Sequence, residues 1–335
     1  MRFFLGIVAI LTSLIAVTAV AKPVVGLYQV REELPSQETD VRDAGLQQAF
    51  VTLMQRLTGQ ANAADSAQLA AFKRDPQALI SRYGYEGNTL VVNFDPQTVQ
   101  SALRETQLPL WGSNRPVVLA WWVIDDLNGQ RLVSDGQPSA QKVAAAAQYY
   151  GVPVRMPLGD LADQMLIGHD ALARTEQIRE SVERYSADSV LLVKQTQDGA
   201  QLLAQWQLWI GDEYQQGDLS ADSEAGLERA VFAQVNQQLA QRFAVKPGEG
   251  HALMVRVAAV DLERFVQVER LLEPFAVQLH TVDKNYVQWQ VNSSVEQLKA
   301  QMALGGLHEQ TAEDTALDST EEMADTRQSM LYFGW

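Results

Sequence analysis

Apolar positions recur along this chain with two periods, and each change of period marks an element. Residues 24–30 are rich in β-formers. From residue 39 the period lengthens. Val41, Ala44, Leu46, Ala49, Phe50, Leu53, Met54 and Leu57 return every three or four positions, the face of a helix that Gly59 stops. Asp75-Pro76 and Asp95-Pro96 each set a capping carboxylate before a proline, an order that opens helices. A helix carrying Leu79, Ile80 and Tyr83 and another carrying Val99 and Leu103 are therefore expected, with a strand over residues 89–94 between them. Residues 108–116 then pack two prolines, a glycine and an asparagine into nine positions and read as a junction.

Past the junction, residues 117–124 are continuously apolar, as in a strand covered on both faces. An alanine-rich helix (139–150), a short strand (152–156), a helix (170–185), a strand (189–195), the Asp198-Gly199 turn, a strand (202–210) and a long helix (223–243) follow. The order is β-α-β-α-β-β-α, a mixed sheet with helices. After a second linker at 246–250 come a strand, a helix, a hairpin around Asp283-Lys284-Asn285 and a helix capped by Ser293-Ser294. That β-α-β-β-α order is ferredoxin-like. The fold class expected is thus α/β and α+β, in three small mixed domains: 22–114, 115–247 and 251–307. Residues 308–335 are expected to be an acidic disordered tail with an aromatic C-terminus. Glu309 to Asp325 hold seven acidic residues and no basic one, and the last six residues are Met330, Leu331, Tyr332, Phe333, Gly334 and Trp335. That ending fits either a strand docked on a sheet edge or a peptide that a partner captures.

The first 21 residues set the compartment. Met1 and Arg2 precede eighteen uncharged residues, and Ala19-Val20-Ala21 closes the run before Lys22-Pro23. This is the layout of a signal peptide cut after Ala21, so the expectation is a periplasmic protein with no transmembrane segment after cleavage. Eighteen apolar residues also stand at the lower limit for an uncleaved anchor.

Composition narrows the chemistry. A net charge of −15 speaks against nucleic acid and anionic lipid, which need a basic patch. The absence of cysteine removes thiol catalysis, thiolate metal sites and iron–sulfur clusters. None of the four histidines lies three or four residues from another, and no phosphate loop, dinucleotide glycine fingerprint or nucleophile elbow occurs. No catalytic, cofactor or metal residues are assigned. Two features remain as a candidate interaction or ligand surface. Asp160 and Asp163 sit three apart in a loop, and with Asp125 and Asp126 they could supply carboxylates at strand ends. Trp121, Trp122 and Trp209 lie on expected strands, where the two-residue period turns Trp121 and Trp122 to opposite faces.

Several of these stretches carry a resemblance. The leader, the helix ending Arg56-Leu57-Thr58-Gly59, the strand Leu90-Val91-Val92-Asn93-Phe94-Asp95, the Leu108-Pro109-Leu110-Trp111 junction and the strand from Arg115-Pro116 to Trp122 together resemble an uncharacterised family of exported gammaproteobacterial proteins, domain of unknown function 2066. That family implies no activity. In the middle segment, Ser186-Ala187-Asp188-Ser189-Val190-Leu191-Leu192-Val193 with its turn, second strand and long helix is similar to the N-terminal domain of the Tol–Pal translocation protein. The curli secretion channel, the lipoprotein activator of peptidoglycan synthases and a flagellar T-ring protein share that arrangement. The resemblance implies binding of other envelope proteins without catalysis. The first reading is therefore a non-enzymatic interaction or assembly factor of the bacterial cell envelope. The alternative is a carboxylate-based enzyme or a small-molecule or glycan binder.

Overall fold

The computed structural model describes residues 24–167, 175–246, 251–258, 260–310 and 330–335. Its strands form three sheets, one in each segment. The leader and most of the acidic stretch lie outside the described residues.

The first segment comprises β1 (Gln29–Glu33), α1 (Thr39–Thr58), α2 (Ala70–Arg74), β2 (Ile80–Glu86), β3 (Thr89–Phe94) and α3 (Pro96–Arg104). The sheet is antiparallel in the order β1-β3-β2. Leu46, Phe50, Leu53 and Leu57 of α1 pack against Val30, Leu90, Val92 and Phe94 in one core. Gly59 ends α1 at φ 72°, its N–H donating to Gln55 O at 2.8 Å. Asp95 caps α3 by accepting from Thr98 N at 2.8 Å. The Asp75-Pro76 device lasts only one 3₁₀ turn, Pro76–Leu79, and Ile80 and Tyr83 belong to β2 rather than to a helix. β2 has no hydrophobic period of its own. Its ladder to β3 holds it.

The middle segment comprises β4 (Val118–Asp126), β5 (Gly129–Val133), α4 (Pro138–Tyr149), β6 (Val154–Arg155), α5 (Leu161–Ile167), α6 (Thr175–Glu180), α7 (Val182–Tyr185), β7 (Ser189–Asp198), β8 (Gln201–Ile210), β9 (Glu213–Ala221) and α8 (Glu224–Phe243). The mixed sheet runs β5-β4-β7-β8-β9, with β6 also paired to β4. β4 is parallel to β6 and β7, and the other pairs are antiparallel. α4 and α8 cover one face, where Trp122, Val193 and Trp206 meet Val143, Leu227 and Phe232. α5, α6 and α7 cover the other, where Trp121, Leu192 and Trp209 meet Ile167, Ile178 and Tyr185. β5 and β9 add to the expected order; both are too polar to show an apolar pattern. Of the helix expected at 170–185, the described part is split into α6 and α7 at Ser181, whose Oγ donates to Ile178 O at 2.6 Å.

The last segment comprises β10 (His251–Ala258), α9 (Leu262–Leu272), β11 (Ala276–Val282), β12 (Tyr286–Ser293), α10 (Val295–Ala303), β13 (His308–Gln310) and β14 (Met330–Gly334). The sheet order is β11-β12-β10-β14-β13. β10 to β12 and α10 follow the ferredoxin-like order, but the C-terminal strand takes the place beside β10, parallel to it, and pushes β13 out to the edge. The ends of the 308–335 region are therefore strands and not a disordered tail, because Phe333 is buried at 1% exposure in the sheet core. Residues 311–329 are outside the described set.

The 108–116 junction is interior. Trp111, Asn114 and Arg115 are 0%, 2% and 0% exposed. Leu110 bridges Val245 after α8, Trp111 N–H donates to Leu57 O at 2.7 Å, and Asn114 donates to Arg270 O of α9. One stretch thus ties all three segments together.

Candidate functional site

The residues singled out from the sequence are mostly engaged in the fold. Trp121 and Trp122 do not form a surface. They are 0% and 1% exposed because helices cover both faces of β4. Trp122 Nε1 donates to Gln195 Oε1 at 2.8 Å, a pair buried inside the sheet layer. Trp209, 8% exposed, packs its ring 4.8 Å from that of Tyr214 on the neighbouring β9.

The aspartates are tied up in the same way. Asp163 is 0% exposed and accepts from Tyr185 OH at 2.6 Å, Gly159 N at 2.8 Å and Arg184 Nη1 at 3.0 Å. Asp160 pairs with Arg184 and accepts from Asp163 N at 3.1 Å. The bond from Arg184 holds the Asp160 carboxyl below its ordinary range, while burial and the Asp163 bond push the Tyr185 hydroxyl up to about 12. Asp125 faces Lys194 at 3.4 Å, and Asp126 pairs with Arg131 inside its hairpin turn. The cluster closes a loop, and it leaves no carboxylate pair free for acid–base work. Among the described residues, no three His, Asp or Glu come together as metal ligands.

A different place has an open site. A cleft of about 680 Å³ lies between β1 of the first segment and helices α4 and α8 of the middle one. Arg31 and Glu33 of β1, Lys142 and Tyr149 of α4, and Glu228 and Arg229 of α8 line it. Beside it runs a buried network. Glu32 accepts from Thr52 Oγ1 at 2.8 Å and from Tyr149 OH at 3.0 Å, and burial raises its carboxyl despite both bonds. The Arg229 guanidinium lies 4.9 Å from the Tyr149 ring centroid.

Of the buried carboxyl groups Glu32, Asp163 and Glu228, the last has no bonded partner. It is 7% exposed and makes no hydrogen bond or ion pair among the described residues. Lys142, whose charge reaches it, is bonded to Glu224 at 3.0 Å. Burial first, and Glu224 second, push its carboxyl up to about 7 from an ordinary 4.5. Above pH 4.5 the unfolded chain ionises this group freely, while the folded chain resists until about pH 7. Stability therefore falls as pH rises through that window and is level above it. Glu228→Gln is expected to stabilise the fold by about 2 kcal/mol at pH 8 and to change nothing at pH 4. Urea unfolding at the two pH values checks this, and equal effects at both would remove the cost assigned to ionisation.

None of the cleft residues stood out in the sequence. The signal for Glu228 was present: it lies four positions before Phe232 on the buried face of α8, where a carboxylate is out of place. Its neighbours across the cleft come from elements about 80 to 200 residues away in sequence and carry no local pattern.

Comparison with known proteins adds little chemistry to this geometry. The chain is a mixed α/β protein with a cleft between two of its segments that carries several charged side chains. Residues 21–112 match the model of a domain of unknown function (DUF8605), over the first segment only. That match carries a different number from family 2066, and it reproduces neither that resemblance nor the one to the Tol–Pal protein. Among solved structures, the lipoprotein GNA1162 from Neisseria meningitidis is similar at 17% identity, over 37% of this chain and 96% of that one, with a TM-score of 0.24. No curated protein matches the chain. Among the described residues, no helix is long and apolar enough to cross a membrane.

Proposed function

We propose that this chain is a non-enzymatic interaction or assembly factor of the bacterial cell envelope, exported to the periplasm and built as three units bounded near residues 114 and 247. Its binding site is the cleft between β1, α4 and α8. The observation that carries this reading is Glu228, a carboxyl group 7% exposed, without a partner, in the wall of an open cleft. A carboxyl group with no bonded partner, its oxygens open to a concave site, is where a ligand completes the hydrogen bonding. The carboxylate-enzyme alternative finds no support in Asp125, Asp126, Asp160 or Asp163, each of which has a cationic partner within the fold.

A photoreactive side chain at Ala145, in the cleft, tests the reading in the producing cell. The expected result is a crosslinked envelope adduct that is absent when the same group replaces Leu127, which is fully exposed in the β4–β5 turn. Equal adducts at both positions, or none at Ala145, would overturn it. Fractionation gives the second arm: the mature chain, starting at Lys22, should be released with the periplasm, and full-length chain free in the cytoplasm would refute export.

A further inference from the structure

β1 is an edge strand, and its register shows which backbone groups are free. Phe94 N–H donates to Tyr28 O and Leu34 N–H donates to Asn88 O. Ladder bonds to β3 therefore fall on the even positions of β1, and Gln29, Arg31 and Glu33 turn their N–H and C=O groups outward. At one end that edge is closed. Arg56 Nη1 donates to Leu27 O and Gln29 O, each at 2.8 Å, and Gln29 N–H donates to Gly26 O. Arg31 and Glu33 have no such cover among the described residues, and both line the cleft. One wall thus offers an unpaired stretch of strand backbone. The other offers the unpartnered carboxyl group of Glu228.

The charges of the cleft are unevenly committed. Arg31 is paired with Glu86, Lys142 with Glu224, and Arg229 is laid over Tyr149. Glu33 and Glu228 have no cation bonded to them among the described residues. Arg229 is likewise without a bonded carboxylate among the described residues, so the acids left without a partner outnumber the cations two to one.

We infer that the cleft takes an extended polypeptide segment, which adds as a short strand to the free edge of β1 at Arg31 and Glu33 and sets a lysine or arginine side chain against Glu228. This deepens the proposed function and rests on its reading of the cleft. Main-chain bonds to an edge give affinity without sequence preference, and the side chain at Glu228 supplies selectivity. The open part of the edge spans two residues of one face, roughly 7 Å, so about four residues of partner are held. Arg56 fixes where the added strand must stop.

The test uses the intact chain and two capped pentapeptides, Ac-Thr-Val-Lys-Val-Thr-NH2 and its Glu-for-Lys counterpart. The lysine peptide is expected to bind, to slow hydrogen exchange at the Arg31 and Glu33 amides, and to bind about tenfold more tightly than the glutamate peptide. Glu228→Gln should remove that preference while leaving the amide protection in place. Binding without protection at Arg31 and Glu33 would overturn strand addition, and a lysine preference that survives Glu228→Gln, or none in the unaltered chain, would overturn the charge assignment. N-acetyl-lysine amide separates this inference from the reading beneath it. If it binds as well as the peptide, or if no peptide binds while the Ala145 crosslink persists, the cleft remains a binding site and the strand partner is wrong. If the crosslink fails too, both fall.

Discussion

Replacing Arg115 by Met is expected to cost about 4 kcal/mol, the range found when one side of a buried polar network is removed. Arg115 is 0% exposed, and among the described residues its hydrogen bonds go to backbone carbonyls rather than to a carboxylate. Its Nε donates to Gly112 O at 3.0 Å, Nη1 to Gly151 O at 3.0 Å, and Nη2 to Arg56 O at 2.9 Å and Trp111 O at 3.1 Å. The guanidinium also lies 3.9 Å from the Trp111 ring centroid. Arg56 O is a carbonyl of the last turn of α1, and Gly151 follows Tyr150, the C-cap of α4. The negative ends of two helices thus take the place of an acid, and orphan helix carbonyls find their donors here. Arg56 repeats the arrangement from the other side, donating through Nε and Nη2 to Tyr149 O at 3.0 and 2.8 Å. Burial pushes both guanidiniums down, Arg56 to about 10, which leaves Arg56 charged at neutral pH. Gly151 is required beside them. Its φ is +67°, and a Cβ there would come 2.8 Å from Arg56 Cγ. A methionine fills the volume of Arg115 and leaves its carbonyls bare. A lysine offers one ammonium where a fork is needed, so Arg115→Lys should recover little. Urea unfolding gives the loss, and limited proteolysis should show new cleavage within residues 108–116. An unchanged midpoint for Arg115→Met would mean that water satisfies those carbonyls at no cost.

This junction also marks the boundary of what the sequence reveals. Two prolines, a glycine and an asparagine announce a break in regular structure, and the break is there. They carry no sign that the break is buried, because its partners Gly151, Arg270 and Leu57 are remote in sequence. Elements whose signals are local were legible. α1 and its glycine stop, the Asp95-Pro96 start of α3 and the Asp198-Gly199 hairpin follow from residues within a few positions of one another. β2, β5 and β9 were not. Most of their residues face solvent, and ladder bonds to a neighbouring strand hold them, with only short apolar ends such as Leu132 and Val133 of β5 reaching the cores. The tryptophans fall between these cases. A two-residue period correctly turns Trp121 and Trp122 to opposite faces, but it cannot tell whether a second helix layer covers the second face. Asp160 and Asp163 fail similarly as a site, since the Arg184 that neutralises them comes more than twenty residues later.

The C-terminal strand holds the last segment closed, and its removal should be felt locally. Phe333→Ala is expected to lose about 3 kcal/mol, as for a phenylalanine truncated in a packed core. β14 lies between two partners. Met254, Val255, Arg256 and Val257 of β10 pair in parallel with Met330, Leu331, Tyr332 and Phe333, while His308 to Gln310 of β13 pair on its other side. Phe333 is buried with Val255, Val257 and Trp289. At the rim, Arg256 lies 5.6 Å from the Tyr332 ring and Arg264 lies 4.5 Å from that of Trp335. A chain ending at Gln310 would lose all of this, and it would also leave one edge of β10 without ladder partners over four residues. Hydrogen exchange separates the two consequences. The β10 amides that bond to β14 should lose protection, while those of β4 and β7, in a different sheet, should keep theirs. β13 already runs antiparallel to β10, so it could slide inward and pair directly in the shortened chain. Retained protection at β10 would reveal that closure, and the terminal aromatics would then be an addition to a ferredoxin-like sheet that stands without them.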